Sequence, residues 1–520
     1  MLEKKDLIYL KEKGIDQEQI NNQLNSFKKG FDFVNLVKPA VVGDGINVLS
    51  EGDEARFINL YDEASKTKSI VKMVPASGSA SRMFKDLFAF MDNYKGSYDE
   101  YLSLVQQKGR GSINDFFVNI ADAPFYNRLT ELIFNDNKSL KTLLEKKNYI
   151  EIIEYILTKK KGLNYADTPK GLVDFHIYRD FVRTPFDEHL VEGALYCNNG
   201  EISKIHFTIS EKYDKLFRAR LKKVSKVFEK RFGIKYDVSF SYQESTTDTI
   251  SINSMGDLVR DNNGDILLRP AGHGALINNM NNLDADLVFV KNIDNVAPDR
   301  KNNDTIKYKK IIAGVLIHVQ KEIFEDLKIL ESNNVSDVKL NEISDLVNLL
   351  VVADSVKELA MSKSEKIEYY KNILNRPIRV CGMVKNEGEP GGGPFWANLP
   401  DGTEKLMIVE SAQIDFENPE QDAIVKASTH FNPVDLVCGI KDYKGNKFNL
   451  KDFVCKEQGS LSTKFYMGKE IKIQELPGLW NGAMANWNTI FVEVPLSTFT
   501  PVKTVFDLFR IEHRNVIKNG

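Results

Sequence analysis

The residues best suited to chemistry in this chain are Val74-Pro75-Ala76-Ser77-Gly78-Ser79-Ala80-Ser81-Arg82-Met83. They follow the apolar run Ile70–Val74, which reads as a buried strand. They precede Phe84–Phe90, which has helical spacing. A small-residue loop between a strand and a helix leaves backbone N–H groups bare, and with the positive end of the helix dipole these suit a phosphate. Arg82 adds a fixed cation. A tight turn made for packing is the other reading of the same pattern.

Five further clusters carry polar groups at turns. Thr168-Pro169-Lys170-Gly171 sets a lysine at the entry of an apolar run, as a phosphate cation or as a solvated turn lysine. Arg269-Pro270-Ala271-Gly272-His273-Gly274 has two glycines one residue apart, which admit a flat ligand such as a base or simply make a turn. Asp294-Asn295 ends the apolar run Leu287–Ile293. Ligands of open α/β sheets bind at strand carboxyl ends, and an acid there suits Mg²⁺, or caps a helix. Glu389-Pro390-Gly391-Gly392-Gly393-Pro394 reads as a loop that closes over a substrate, or as a long hairpin turn. Phe499-Thr500-Pro501-Val502-Lys503-Thr504 brings a last lysine just after a strand.

The elements that must position these groups are legible in outline. Strand signals stand at 204–210, 237–243, 287–294, 378–384, 405–410 and 489–494, and residues 211–231 read as an amphipathic helix stopped at Phe232-Gly233. Strand–helix–strand order predicts a mixed, mostly parallel sheet in an α/β fold. Residues 1–66 read as a helical segment flanking a main domain over 67–505. Helical insertions at about 96–162 and 302–374 interrupt that domain, the first as a lid over the loop, and 506–520 form a tail. At 520 residues, 42% hydrophobic and 28% charged, the chain has the composition of an ordinary globular protein. A net charge of −3 argues against a nucleic-acid binder, and no apolar run is long enough to span a bilayer. No signal peptide is evident, and the scattered Cys197, Cys381, Cys438 and Cys455 fit reduced thiols, so a cytoplasmic location is expected and zinc is not. His176, His189 and His206 lack the spacing of a metal triad. Trp480 stacks on a sugar or packs against the sheet, and Arg183-Thr184-Pro185 and Glu188-His189 are candidates for lining a cleft.

The order of the clusters resembles the nucleotide-sugar pyrophosphorylases, nucleotidyltransferases with a glycosyltransferase-A-like fold. That family has a Gly-rich loop ending in Arg-Met or Arg-Leu. Pro75–Met83 is similar, with Ser77 and Ala80 where glycines are expected. Pro169-Lys170 takes the family's Pro-Lys place if residues 84–167 are an insertion. Segments similar to the UDP-N-acetylhexosamine pyrophosphorylase branch follow in order: Phe207–Ser210, Phe240–Gln243, Pro270–Gly274, Ile293–Asn295, Val409–Gln413, Phe431–Asp435 and Phe499–Thr504. Taken whole, the chain looks closest to a bacterial domain-of-unknown-function family.

The resemblance implies that a sugar 1-phosphate oxygen attacks the α-phosphorus of a nucleoside triphosphate, UTP in that branch, and pyrophosphate leaves. It puts Arg82 on the triphosphate and leaving pyrophosphate, and Lys170 and Lys503 on the α-phosphate. Asp294 would hold Mg²⁺, with Asp435 as a second carboxylate. The nucleotide would lie along Ala76, Ser77, Gly78 and Ser79, with the base near Gln243 and Gly272, and the sugar hydroxyls would meet Glu410 and Asn432. Two other readings are a nucleotide-sugar-dependent glycosyltransferase, which wants two acids at one strand end, and a non-catalytic nucleotide or nucleotide-sugar binder, if Ser77 and Ala80 crowd the phosphates.

Overall fold

Strand Ile70–Pro75, apolar apart from Lys72, is buried until Pro75, as in a sheet covered on both faces. It pairs in parallel with Leu287–Lys291, Ile70 opposite Leu287 and Met73 opposite Val290. The computed structural model describes residues 2–514 apart from 110, 180, 333–334, 353–357, 359 and 389–390. In these two strands the chain passes between two compact units. One comprises Met1–Met73, Ser241–Val290 and Tyr308–Leu496, and the other Val74–Phe240, Lys291–Lys307 and Ser497–Gly520.

In the first unit the strands Val41–Val42, Gly45–Asn47, Asn488–Glu493, Ile378–Lys385, Asp435–Gly439, Leu287–Lys291 and Ile70–Pro75 lie side by side in that order. Ile378–Lys385 runs parallel to Asn488–Glu493, which runs parallel to Gly45–Asn47. Asp435–Gly439 is antiparallel to Ile378–Lys385. This is the mixed, mostly parallel α/β architecture expected from the sequence. Met73, Val290, Cys381, Trp487 and Phe491 share the core of one sheet face with Trp396 and Leu406 from a smaller sheet.

The second unit is built on strands Ile202–Ile209 and Lys235–Tyr242, joined by helix Asp214–Phe232. Gly233 closes that helix in the left-handed region at φ +69°, where a side chain would strain the backbone. Val74, Phe186, Phe207 and Phe217 form one core. Helices between Tyr98 and Leu157 form another through Phe116, Leu129 and Ile152, which also takes in Ala80, Met83 and Phe84 of the loop and Val502, Val505 and Leu508 near the C-terminus.

Three expectations need correction. The expected main domain divides into the two units. The N-terminal segment is helical only at Lys4–Glu12, Gln17–Lys29 and Glu51–Ser65; between them lie strands Asn35–Pro39, Val41–Val42 and Gly45–Asn47, turned by Gly43 and Gly45 at positive φ. The expected tail is, over 506–514, packed structure: Leu508 and Phe509 are core residues and His513 is buried. Among the described residues no helix is long and apolar enough to cross a membrane.

Candidate functional site

The second unit gathers the loop, Pro169-Lys170, Asp294-Asn295 and Pro501–Lys503. Ala76 is anchored by its N–H to the Thr208 carbonyl at 2.7 Å, at the end of strand Ile202–Ile209. Gly78 and Ala80 bracket a bridge between Ser79 and Pro169: Lys170 N–H donates to the Gly78 carbonyl at 3.1 Å and Ala80 N–H to the Thr168 carbonyl at 3.0 Å. The turn carrying Lys170 is thereby fixed to the loop. Ser77 and Gly78 are exposed, and among the described residues nothing accepts from the N–H groups of Ser77, Gly78 or Ser79. Ala80 is fully buried in the apolar cluster, so its methyl belongs to the core.

Gly171 lets the Lys170 turn approach the strand end: a Cβ there would meet Ile293 at 3.2 Å and the Phe217 ring at 3.1 Å. Lys170 Nζ donates to Asp294 Oδ2 at 2.7 Å, and Lys503 Nζ donates to the same oxygen at 3.1 Å. Lys170 is 15% and Asp294 10% exposed at the side chain, against 57% for Lys503. Burial pushes the Asp294 carboxyl up, but the two ammonium groups outweigh it and hold the group below the usual carboxylate range. Burial lowers the Lys170 ammonium from its ordinary value, with Asp294 opposing and Lys503 adding to the fall.

The segment bearing Lys503 is held at several points. Val502 N–H donates to the Asp294 carbonyl at 3.1 Å and Val505 N–H to the Met83 carbonyl at 2.9 Å. Asn295 Oδ1 accepts from Thr500 N–H at 2.9 Å, while its buried Nδ2 has no partner among the described residues. Asp507 accepts from the N–H groups of Lys503 and Thr504 at 2.8 and 2.7 Å. Arg82 is exposed, and among the described residues no carboxylate pairs with it. The cluster thus holds two ammonium groups, the buried carboxylates of Asp294 and Asp507, and, on the loop tied to it, Arg82 and bare backbone donors, an arrangement suited to a polyanion.

Sequence reasoning missed one support, Asp507, and named another, His189, only as a candidate for lining a cleft. Asp507 is part of a short 3₁₀ turn without periodicity, and only the Thr504-x-x-Asp507 capping pattern signals it. His189 Nε2 lies 3.2 and 3.3 Å from the carbonyl oxygens of Asn292 and Ile293, just before Asp294. The other cleft candidates are structural: Thr184 caps helix Pro185–Tyr196, and Arg183 pairs with Glu188 and Asp299.

The remaining candidates belong to the first unit. Gln243 Nε2 is buried without a partner among the described residues, and Gly272 adopts φ +78°, with Glu475 3.2 Å from where its Cβ would be. Glu410 Oε1 accepts from Trp480 Nε1–H at 3.0 Å. His273 stacks on the Trp480 ring at 4.1 Å, and because its Nδ1 accepts from Leu479 N–H its proton sits on Nε2, 3.7 Å from Glu410 Oε1. Burial raises the Glu410 carboxyl, and His273 and Trp480 bring it net below its ordinary value. A fixed acceptor beside a fixed donor matches a hydroxyl, which needs both. Asn432 is mostly committed to its own turn, its Oδ1 accepting from Val434 N–H at 3.0 Å. Asp435 is 1% exposed and ion-paired with Lys309, so the second carboxylate expected for Mg²⁺ is already taken. Among the described residues no three His, Cys, Asp or Glu side chains gather as a metal site. Glu389 and Pro390 of the expected closing loop lie outside the described residues; Gly393 and Pro394 begin strand Gly393–Asn398.

No curated protein matches the sequence significantly. Among solved structures, the chain is similar to a uridine diphosphate N-acetylglucosamine pyrophosphorylase from Trypanosoma brucei, solved with an inhibitor. The identity is 12% and the TM-score 0.46, over 94% of this chain and 74% of that one. It is also similar to a mutant UDP-glucose pyrophosphorylase from Leishmania major in complex with UDP-glucose, at 12% identity and TM-score 0.42, over 98% of this chain and 80% of that one. DUF4301, a domain of unknown function, matches residues 3–514, and the chain therefore belongs to the DUF4301 family.

Proposed function

We propose that the protein is a Mg²⁺-dependent nucleotidyltransferase that joins a nucleoside triphosphate, UTP foremost, to a sugar 1-phosphate and releases pyrophosphate. The observation that carries this reading is the meeting of Lys170 and Lys503 on Asp294, with the Lys170 turn hydrogen-bonded to the loop that bears Arg82. A sugar phosphate is ionised near neutral pH and needs no side-chain nucleophile. The protein's task is to place two phosphates and neutralise the charge that builds around phosphorus. Arg82 and the bare N–H groups of Ser77, Gly78 and Ser79 take the triphosphate and the leaving pyrophosphate. Lys170 and Lys503 transfer their hydrogen bonds from Asp294 to α-phosphate oxygens. Mg²⁺ needs only one or two carboxylates beside phosphate and water, and Asp294 is the carboxylate that fits it. Asp294 would hold it, and the chemistry it would supply there is to offset charge on the phosphate oxygens.

The buried Ala80 methyl supports catalysis over a purely binding role, because it does not crowd the loop. The single carboxylate at the strand end speaks against the glycosyltransferase reading. Incubation with Mg²⁺, UTP and a panel of sugar 1-phosphates is expected to release pyrophosphate. Arg82→Ala and Lys503→Ala are each expected to lower kcat/KM about a hundredfold with an unchanged circular dichroism spectrum. No release across a broad panel from the folded protein sinks the proposal.

A further inference from the structure

A pocket of about 570 Å³ lies wholly within the first unit. Helices Glu51–Ser65, Asn302–Glu331 and Asp337–Leu350 wall it, and strand Asn488–Glu493 floors it with Trp396 and Leu406. Its walls are mostly apolar, with Phe57, Val315, Leu346 and Ile490 among them. That size and lining are those of small-molecule sites, which carry few polar groups and use them for orientation.

One polar group here is unanswered. Trp396 is 7% exposed, and its indole N–H is buried with no acceptor among the described residues. Gly45, at φ +96°, also lines the pocket, and a Cβ there would come within 3.0 Å of Trp396 Nε1 and 2.8 Å of a Leu406 methyl. A side chain at position 45 would press directly on that N–H. A buried donor without an acceptor is unfavourable, so an oxygen delivered to it is favoured. Water is a poor supplier, since it needs two to four polar partners. Thr489, on the floor, is engaged: its hydroxyl accepts from Arg379 Nε–H at 2.9 Å and lies 3.5 Å from the Trp487 carbonyl. At the rim Arg56 pairs with Asp53, and His318 Nε2 lies beside Glu322 Oε1, each at 3.6 Å. Nothing there calls for an ionic ligand.

We infer that this pocket is a second ligand site, which takes a neutral, mainly apolar small molecule whose carbonyl oxygen accepts from Trp396 Nε1–H. The site does not depend on the nucleotidyltransferase reading. Calorimetric titration of the full chain with tetralin and 1-tetralone, which share an apolar body and differ by one carbonyl, tests it. The ketone is expected to bind about tenfold more tightly. Trp396→Phe keeps the ring and deletes the donor, so both compounds should bind it with the affinity of tetralin. Ile490→Trp fills the floor and should abolish binding of both. Absence of binding to the unaltered protein, equal affinities there, or a ketone preference that survives Trp396→Phe overturns the inference.

Discussion

Two ammonium groups share one carboxylate oxygen, and Lys170 is the more buried of them. Lys170 is depressed mainly by burial, so its proton leaves below the ordinary lysine range. Under the proposed reaction its charge must be present in the free enzyme. The alkaline limb of kcat/KM should therefore begin below pH 10.5, the ordinary lysine value. Lys170→Arg, which stays charged, should move that limb upward even if its geometry lowers the plateau. An unmoved limb would show that another group sets it. His206 offers a stability readout in the same unit. Burial lowers its imidazole from 6.5 to about 4, with Nδ1 2.8 Å from Ser239 Oγ. The folded state then binds fewer protons than the unfolded one between those values. Stability should fall as pH drops from about 6.5 toward 4, by up to about 3 kcal/mol. Urea unfolding at pH 7 and pH 4.5 should show that loss in the unaltered protein and a smaller one in His206→Gln.

At the scale of elements, the C-terminal segment matters more than its sequence suggests. Asp507 ties down the N–H groups on both sides of the Lys503 carbonyl, and Val505 N–H ties the segment to Met83. Asp507→Ala removes a cap that reaches no substrate. It should cost about 1–2 kcal/mol in urea unfolding and raise KM for the triphosphate, because Lys503 loses its fixed approach. A KM left unchanged would reduce Asp507 to a purely structural cap. This segment marks where the sequence stopped being legible. Ile70–Pro75, Asp214–Phe232 and Leu287–Lys291 were readable because one period or one apolar run dominates each. The loop, Lys170, Asp294 and Lys503 were readable as turn residues at the ends of such elements. Residues 506–514 have no period, and their burial comes from Phe116 and other residues far away in sequence. Strands 35–47 are too short for alternation to show, although the paired glycines at 43 and 45 were a usable turn signal. The loss of Asp435 to Lys309 links a strand to a helix that no local pattern connects.

At the scale of the whole molecule, the two units are not separable pieces of chain. The boundaries at Met73/Val74 and Val290/Lys291 cut through strands, and the one at Lys307/Tyr308 cuts through helix Asn302–Glu331. Elements therefore run on from one unit into the other, and one unfolding transition is the expectation. The tryptophans make this measurable. All three, Trp396, Trp480 and Trp487, belong to the first unit, whereas Lys170, Asp294 and Lys503 belong to the second. Inorganic pyrophosphate with Mg²⁺ should bind the lysine cluster, and at a hundred times its dissociation constant it stabilises the folded state by about 2.7 kcal/mol. For a chain of this length unfolding as one body, that corresponds to a rise in Tm of roughly 2–3 °C. The rise should appear equally in tryptophan fluorescence and in far-ultraviolet circular dichroism, although the ligand touches no residue near an indole in the sequence. A dichroism midpoint that rises while the fluorescence midpoint stays would mean that the units melt independently. A rise in neither would remove the lysine cluster as a phosphate site.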